Sequence, residues 1–110
     1  MDRGKEAFKE VRIRVHDGLA LYGRHYAAPG SNRRPLLCLA GLTRNSRDFH
    51  DLATALSGTG EDARPVYTLD TRGRGQSEFA KDWRHYAVPV EMLDVQDFMA
   101  AHHLHDAAVL

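Results

Sequence analysis

The sequence predicts an α/β fold in which an antiparallel hairpin leads into a parallel sheet. Three observations carry that prediction. Val11, Ile13 and Val15 alternate with Arg12, Arg14 and His16 ahead of an Asp17-Gly18 turn, a half-buried strand followed by hairpin chemistry. Two later apolar runs, Leu36-Leu37-Cys38-Leu39 and Val66-Tyr67-Thr68-Leu69, each end in a glycine turn. Each run is then followed by helical sequence. Parallel strands need such crossovers, and the loops then gather at the strand C-termini, where sheets of this class bind ligands.

Taken in order, the first strand turns at Asp17-Gly18 and returns over 19–26. Pro29-Gly30-Ser31-Asn32 is a surface turn. The strand after Pro35 is apolar on both faces, which predicts a central position. Ala40-Gly41-Leu42-Thr43 follows, and either Asn45 or Ser46 is suited to cap a helix. Phe49, Leu52, Ala53 and Leu56 fall on one helical stripe, and Gly58 ends that helix. Residues 57–62 form an exposed loop before the fourth strand.

The fourth strand closes at Asp70, in Leu69-Asp70-Thr71-Arg72-Gly73-Arg74-Gly75-Gln76-Ser77. Glycine enters positive φ without steric cost, so Gly73 and Gly75 specify a shaped loop. Residues 76–87 read as loop. Pro89 suits a first helical turn. Met92, Val95, Met99 and His102 then share one helix face with Phe98 beside it, while Asp94 and Asp97 point away. Ala107-Ala108-Val109-Leu110 reads as the opening of a fifth strand.

Composition narrows the class. The 110 residues allow one domain, with a core of modest size. Fifteen basic and fifteen acidic residues balance, which argues against nucleic acid or an anionic membrane as a bulk electrostatic partner. The single cysteine, Cys38, excludes an internal disulfide framework and a thiolate zinc cluster, and its leucine neighbours predict a buried, inert thiol. The charged N-terminus lacks the apolar run of a signal peptide, and no apolar run is long enough to cross a bilayer. A soluble cytoplasmic protein is expected.

The glycine turns admit more than one role. The Gly41-Leu42 turn can aim backbone N–H groups at a developing oxyanion, or it can be a structural strand-to-helix turn, which needs the same glycine. Gly73-x-Gly75 lacks the third glycine of a dinucleotide fingerprint, and a single Arg-Gly-Arg-Gly in a charge-neutral chain is a poor RNA-binding segment. Asp70 suits capping of its own turn better than acid catalysis. Arg72 suits pairing with a local carboxylate better than anion binding. His102, His103 and His105 cluster near Asp106, but their spacing matches no common zinc motif, and histidine at a helix C-terminus complements the dipole. His50 and His85 have no obvious partner, and His16 adjoins the hairpin turn. No Ser-His-Asp or Cys-His arrangement can be assigned.

Together the two turns resemble the α/β-hydrolase family. The element order matches the N-terminal half of that fold. Asp70, Arg72, Gly73, Gly75 and Ser77 complete an Asp-x-Arg-Gly-x-Gly-x-Ser pattern at the expected distance from Gly41. The resemblance runs from about Val11 to Leu110. Ala40-Gly41 stands where the family often has His-Gly. The family's nucleophile elbow, Gly-x-Ser-x-Gly in most members, follows the fifth strand, and no such pattern occurs in the sequence.

The resemblance therefore implies a partial domain over 1–110 with an incomplete sheet, its oxyanion turn at 40–43 and its second loop at 70–77. It implies a parent enzyme hydrolysing small esters, lactones or related substrates through a covalent intermediate. The Leu42 backbone N–H would supply one oxyanion donor. Gly41, Thr43 and Asn45 would line the pocket, and Asp70, Arg72, Gly73, Gly75 and Ser77 would brace the loops. A small-molecule substrate is expected, with no cofactor, metal, nucleic acid or membrane. The chain alone is expected to be inactive and to self-associate through its open sheet edge. The rival class is a non-catalytic product or small binding module, which the residues following the fifth strand in the reading frame would distinguish.

Overall fold

The computed structural model describes residues 8–40, 46–73, 75–78, 80–81, 84, 88–104 and 106–110. Five strands form one sheet: β1 (Lys9–Arg14), β2 (Ala20–Tyr26), β3 (Leu36–Ala40), β4 (Val66–Asp70) and β5 (Ala108–Val109). Their order is β1-β2-β4-β3-β5. The hairpin β1–β2 is antiparallel and β2 joins β4 antiparallel, whereas β3 runs parallel to both β4 and β5. The mixed sheet thus has the predicted architecture, and the both-faces-apolar strand β3 lies inside it. Every residue of β4 is buried.

Side chains alternate between two faces, each covered by a helix. On one face Leu21, Leu37, Tyr67 and Leu69 pack with Phe98 and Leu104, supplied by α2 (Val88–Ala101) and the turn after it. On the other, Tyr26, Cys38 and Val66 pack against Ala53 of α1 (His50–Leu56), with Phe49 and Leu56 at the margin. Phe98 is fully buried, which is worth about 1.5–3 kcal/mol. Its ring fits because Gly23 of β2 lies beneath it. A Cβ there would sit 3.2 Å from the ring and 2.3 Å from the Thr68 carbonyl oxygen. Burial raises the Cys38 thiol to about 11, as an inert core thiol requires.

Several helix expectations need correction. A 3₁₀ turn over Ser46–Phe49 precedes α1, whose N-cap position is Phe49 with no side-chain cap bond. Ser46 is therefore not the cap, and Asn45 lies outside the described residues. Leu52 is exposed, because α1 is only two turns long and its buried contact narrows to Ala53. In α2, Met92 is exposed while Asp94 is buried. The buried face is rotated toward Asp94 and Phe98, which lie one turn apart.

Candidate functional site

Ala40 of β3 pairs with Asp70 of β4 in parallel register, so both strands deliver their C-terminal ends to the same edge. The turn after β3, with Gly41, Leu42, Thr43 and Asn45, lies outside the described residues. The exit of β4 is tied to the end of β3. Both the backbone N–H and the hydroxyl of Thr71 donate to the Ala40 carbonyl, each at 3.2 Å.

The loop after β4 replaces a strand that has run out. β2 extends past the end of β4, leaving backbone N–H groups of Tyr22 and Ala20 with no ladder partner, and buried donors of this kind must be satisfied. Ser77 Oγ accepts from Tyr22 N–H at 2.8 Å, and Glu78 Oε1 accepts from Ala20 N–H at 2.9 Å. Glu78 N–H donates back to the Ala20 carbonyl at 2.9 Å. Ser77 Oγ also donates to the Asp70 carbonyl. Asp70, itself buried, accepts the Gln76 N–H on Oδ2 at 3.0 Å, the turn-capping role expected of it. Gly73 and Gly75 have φ of 73° and 50°, the left-handed conformation that favours glycine. The Ser77 hydroxyl is buried and engaged on both sides, which makes it a structural group rather than an exposed nucleophile.

Arg72 is the largest fully buried side chain among the described residues. Its fork is gripped by two carboxylates. Asp94 of α2 accepts from Nε and Nη2, each at 2.6 Å. Asp17 of the hairpin turn accepts from Nη1 at 2.9 Å and Nη2 at 3.2 Å. The His16 ring nitrogen Nε2 lies 3.2 Å from Asp94 Oδ1, and its backbone N–H donates to Asp97 Oδ2 at 2.8 Å. The hydrogen bonds from Asp94, and then Asp17, hold the guanidinium pKa above its ordinary value against burial. The same contact pulls the Asp17 carboxyl below its usual range. Paired, hydrogen-bonded ions of this kind tolerate burial where isolated ones do not.

Arg72 is thus carboxylate-paired as expected, but its partners are not local. They lie 22 and 55 residues away in the chain. Asp94 was expected to point away from the core, and it does the opposite, because a buried guanidinium needs an anion on the helix face above it. The available signal is an arginine flanked by a strand and a glycine turn, which calls for a carboxylate without saying which one.

The histidines divide. His50 Nδ1 lies 2.9 Å from the Tyr26 hydroxyl, so it does have a partner. His85 and His105 lie outside the described residues. His102 turns inward rather than serving the helix dipole, and burial pulls its pKa down. Among the described residues, no group of three or more His, Cys, Asp or Glu side chains is placed to hold a metal ion. No helix among them is long and apolar enough to cross a membrane.

Concavities lie at both ends of the sheet among the described residues. An apolar groove of about 210 Å³, lined by Leu39, Thr71, Glu91, Met92 and Val95, lies at the C-terminal ends of β3 and β4. A larger open cleft of about 590 Å³, carrying Arg33, Arg34 and Arg64, lies at the opposite end of the sheet. Position favours the smaller one for chemistry, since ligands enter such sheets at the strand C-termini.

No protein-family model matches the chain. It is 40% identical over 83 residues to 3-hydroxybutyrate-oligomer hydrolase of Cupriavidus necator, a match that takes in 76% of this chain and 27% of the relative. An α/β hydrolase from Novosphingobium aromaticivorans superposes with a TM-score of 0.82 at 36% identity, over 94% of this chain and 34% of the other. The epoxide hydrolase VrEH1 of Vigna radiata shares the fold at a TM-score of 0.74 and 16% identity, over 94% of this chain and 32% of its own. The chain therefore spans about a third or less of the length of these relatives.

Proposed function

The chain belongs to the α/β-hydrolase fold family, and from that premise we propose that it carries the oxyanion half of a hydrolase acting on small esters, lactones or related substrates. The observation that supports this most is the 40% identity over 83 residues to a protein named for hydrolysing 3-hydroxybutyrate oligomers. Joining the hydroxyl of one hydroxy acid to the carboxyl of the next makes an ester, so that name points to acyl transfer. Its tetrahedral intermediate develops negative charge on the former carbonyl oxygen, and preorganised N–H donors stabilise that charge.

In this reading residues 1–110 form part of a larger hydrolase domain. The Leu42 backbone N–H donates to the oxyanion, and Gly41, Thr43 and Asn45 line the substrate side. Asp70, Arg72, Gly73, Gly75 and Ser77 brace the neighbouring loop without reacting. The nucleophile comes from an elbow that these residues do not contain, so the purified chain should not turn over an activated ester. Its short strand β5, with Val109 and the adjoining Leu110 exposed, is the edge through which isolated copies self-associate. Light scattering on a size-exclusion column checks this, and a sharp monomer at low micromolar concentration would contradict it.

The test of function uses a protein in which these residues are followed by a nucleophile elbow. Leu42→Pro removes the backbone donor, whereas Leu42→Ala keeps it. Loss of one oxyanion donor lowers kcat by on the order of a hundredfold to a thousandfold. Turnover of a 3-hydroxybutyrate dimer should collapse in the proline variant and survive in the alanine variant, both folded by circular dichroism. Equal turnover would remove Leu42 from the mechanism, and no turnover of any ester by the parent would remove the ester reading.

A further inference from the structure

The C-terminal end of α2 is built from groups that acid disturbs. Its last turn closes by two backbone bonds, Leu104 N–H to the Met99 carbonyl at 2.8 Å and His103 N–H to the Ala100 carbonyl at 3.2 Å. This is the Schellman pattern, in which the residue after the cap adopts a left-handed conformation. Here that residue is His103, the one non-glycine with positive φ (57°) among the described residues. A non-glycine side chain is disfavoured in that conformation, so this end depends on its packing as well as on its two backbone bonds.

The packing is aromatic and centres on two histidines. The His25 ring of β2 stacks on Tyr67 of β4 with centroids 4.3 Å apart and planes 6° from parallel. The His102 ring lies 5.2 Å from Tyr67 and 4.6 Å from Phe98. Its Nε2 is buried with no hydrogen-bond partner among the described residues. A neutral imidazole tolerates this arrangement because one ring nitrogen needs no proton. A charged imidazolium has two N–H donors and would bury one without an acceptor. The surrounding titratable groups add to the difficulty. Lys9 of β1 stands directly opposite His25 in the hairpin register. Tyr67 faces both rings from β4, and His103 follows His102 in the chain. None of the charges acting on either ring is a carboxylate.

We propose that His25 and His102 form an acid-sensitive latch. Protonation of the pair frees the C-terminal end of α2 and the turn leading into β5, while Arg72, through Asp94, holds the middle of the helix. The fold supplies a fixed point and a releasable one on the same helix. Burial lowers the pKa of both rings, and Lys9 adds to this at His25, so the packed state selects the neutral pair. The released segment includes Leu104, a core residue, and it leads into β5, after which the Leu110 N–H donates to the Leu37 carbonyl of β3. Acid therefore loosens the β5 edge.

Hydrogen exchange of the whole 110-residue chain, followed amide by amide at pH 7.5 and pH 5.5 and corrected for intrinsic rates, tests the latch. Amides over 98–110 should lose protection several-fold more than those over 90–96. In His102→Phe, which keeps an aromatic ring in place, that difference should vanish. Should His102→Phe fail to fold, His25→Phe carries the same expectation. Direct titration of the ring nitrogens in the unmodified chain should then show both histidines protonating below the ordinary value. Uniform loss along α2, no loss at all, or ring nitrogens that titrate as free histidine would each overturn the proposal.

Discussion

The middle and the C-terminal end of α2 are fastened by opposite chemistry. At mid-helix Asp94 grips a fully buried guanidinium through two 2.6 Å hydrogen bonds. At the C-terminal end two imidazoles lie among aromatic rings, one with a ring nitrogen that no group among the described residues satisfies. A buried ion pair is rigid and directional, and it fails badly if one member is removed. An aromatic box is adaptable, and it fails when one member acquires charge. The difference teaches where this fold keeps its geometry. The fixed point lies beside the strand C-termini, and the yielding end lies where the chain leads into β5.

Removing the guanidinium should give the largest effect. Arg72→Met strands the buried Asp94 carboxylate, a loss of about 3–5 kcal/mol when one partner of a buried pair is removed. Urea unfolding monitored by circular dichroism reads this directly. Asp17 is partly exposed, so weakening its two charge-assisted contacts in Asp17→Asn should cost less, of the order of 1–2 kcal/mol. That contrast would identify Asp94 as the main anchor.

Next in size is Gly23→Ala. The added Cβ meets the Thr68 carbonyl oxygen at 2.3 Å and presses on Phe98, so the β2–β4 ladder must shift. Overpacking of this kind costs about 1–3 kcal/mol. It should disturb the aromatic end of α2 more than the clasp, visible as faster exchange around Phe98.

At the yielding end, His103→Gly should stabilise the chain by about 1 kcal/mol. Glycine accepts the left-handed conformation that histidine is forced to adopt, and a rise in melting temperature checks it. The smallest effect is the pH dependence. His25 and His102 bind protons less readily folded than unfolded, so unfolding takes up protons below their ordinary value of 6.5, and stability falls as pH drops through it. Asp17 has the same sign in a lower window. Its carboxyl, ordinarily near 3.8, is held lower by Arg72, so its contribution persists until the pH falls below that range. Between the two, acid should weaken one end of α2 only. Urea midpoints at pH 7.5 and pH 5 should differ less in His102→Phe than in the unmodified chain.

Much of this architecture is legible in the sequence because it rests on local signals. The alternation around Val11, Ile13 and Val15, the Asp17-Gly18 turn and the two apolar strands each state their structure within a few residues. The glycines at 73 and 75 announce a backbone that only they adopt cheaply, and both have positive φ. The clasp was not legible, because helix faces were assigned from apolar residues alone. Met92 was placed inside on that pattern, yet it is exposed while Asp94 is buried. A guanidinium 22 residues earlier in the chain decides which side of α2 faces the sheet, and no periodicity contains that information. The function of Ser77 and Glu78 was equally hidden. They complete the hydrogen bonds of β2 beyond the end of β4, a need that appears only once the strand lengths are known. The oxyanion turn itself, at Gly41, Leu42, Thr43 and Asn45, lies outside the described residues, so its role rests on the family relationship.

The account turns on Arg72 and Asp94 acting as one buried unit that fixes α2 beside the loop. A double-mutant cycle in urea tests this most directly, with Arg72→Met, Asp94→Leu and the combined variant compared with the unmodified chain. The account predicts that each single change costs about 3–5 kcal/mol and that the double change recovers most of the loss, as apolar replacement of a buried pair commonly does. Additive losses, or single changes within about 0.5 kcal/mol of the unmodified chain as ordinary surface substitutions give, would contradict it.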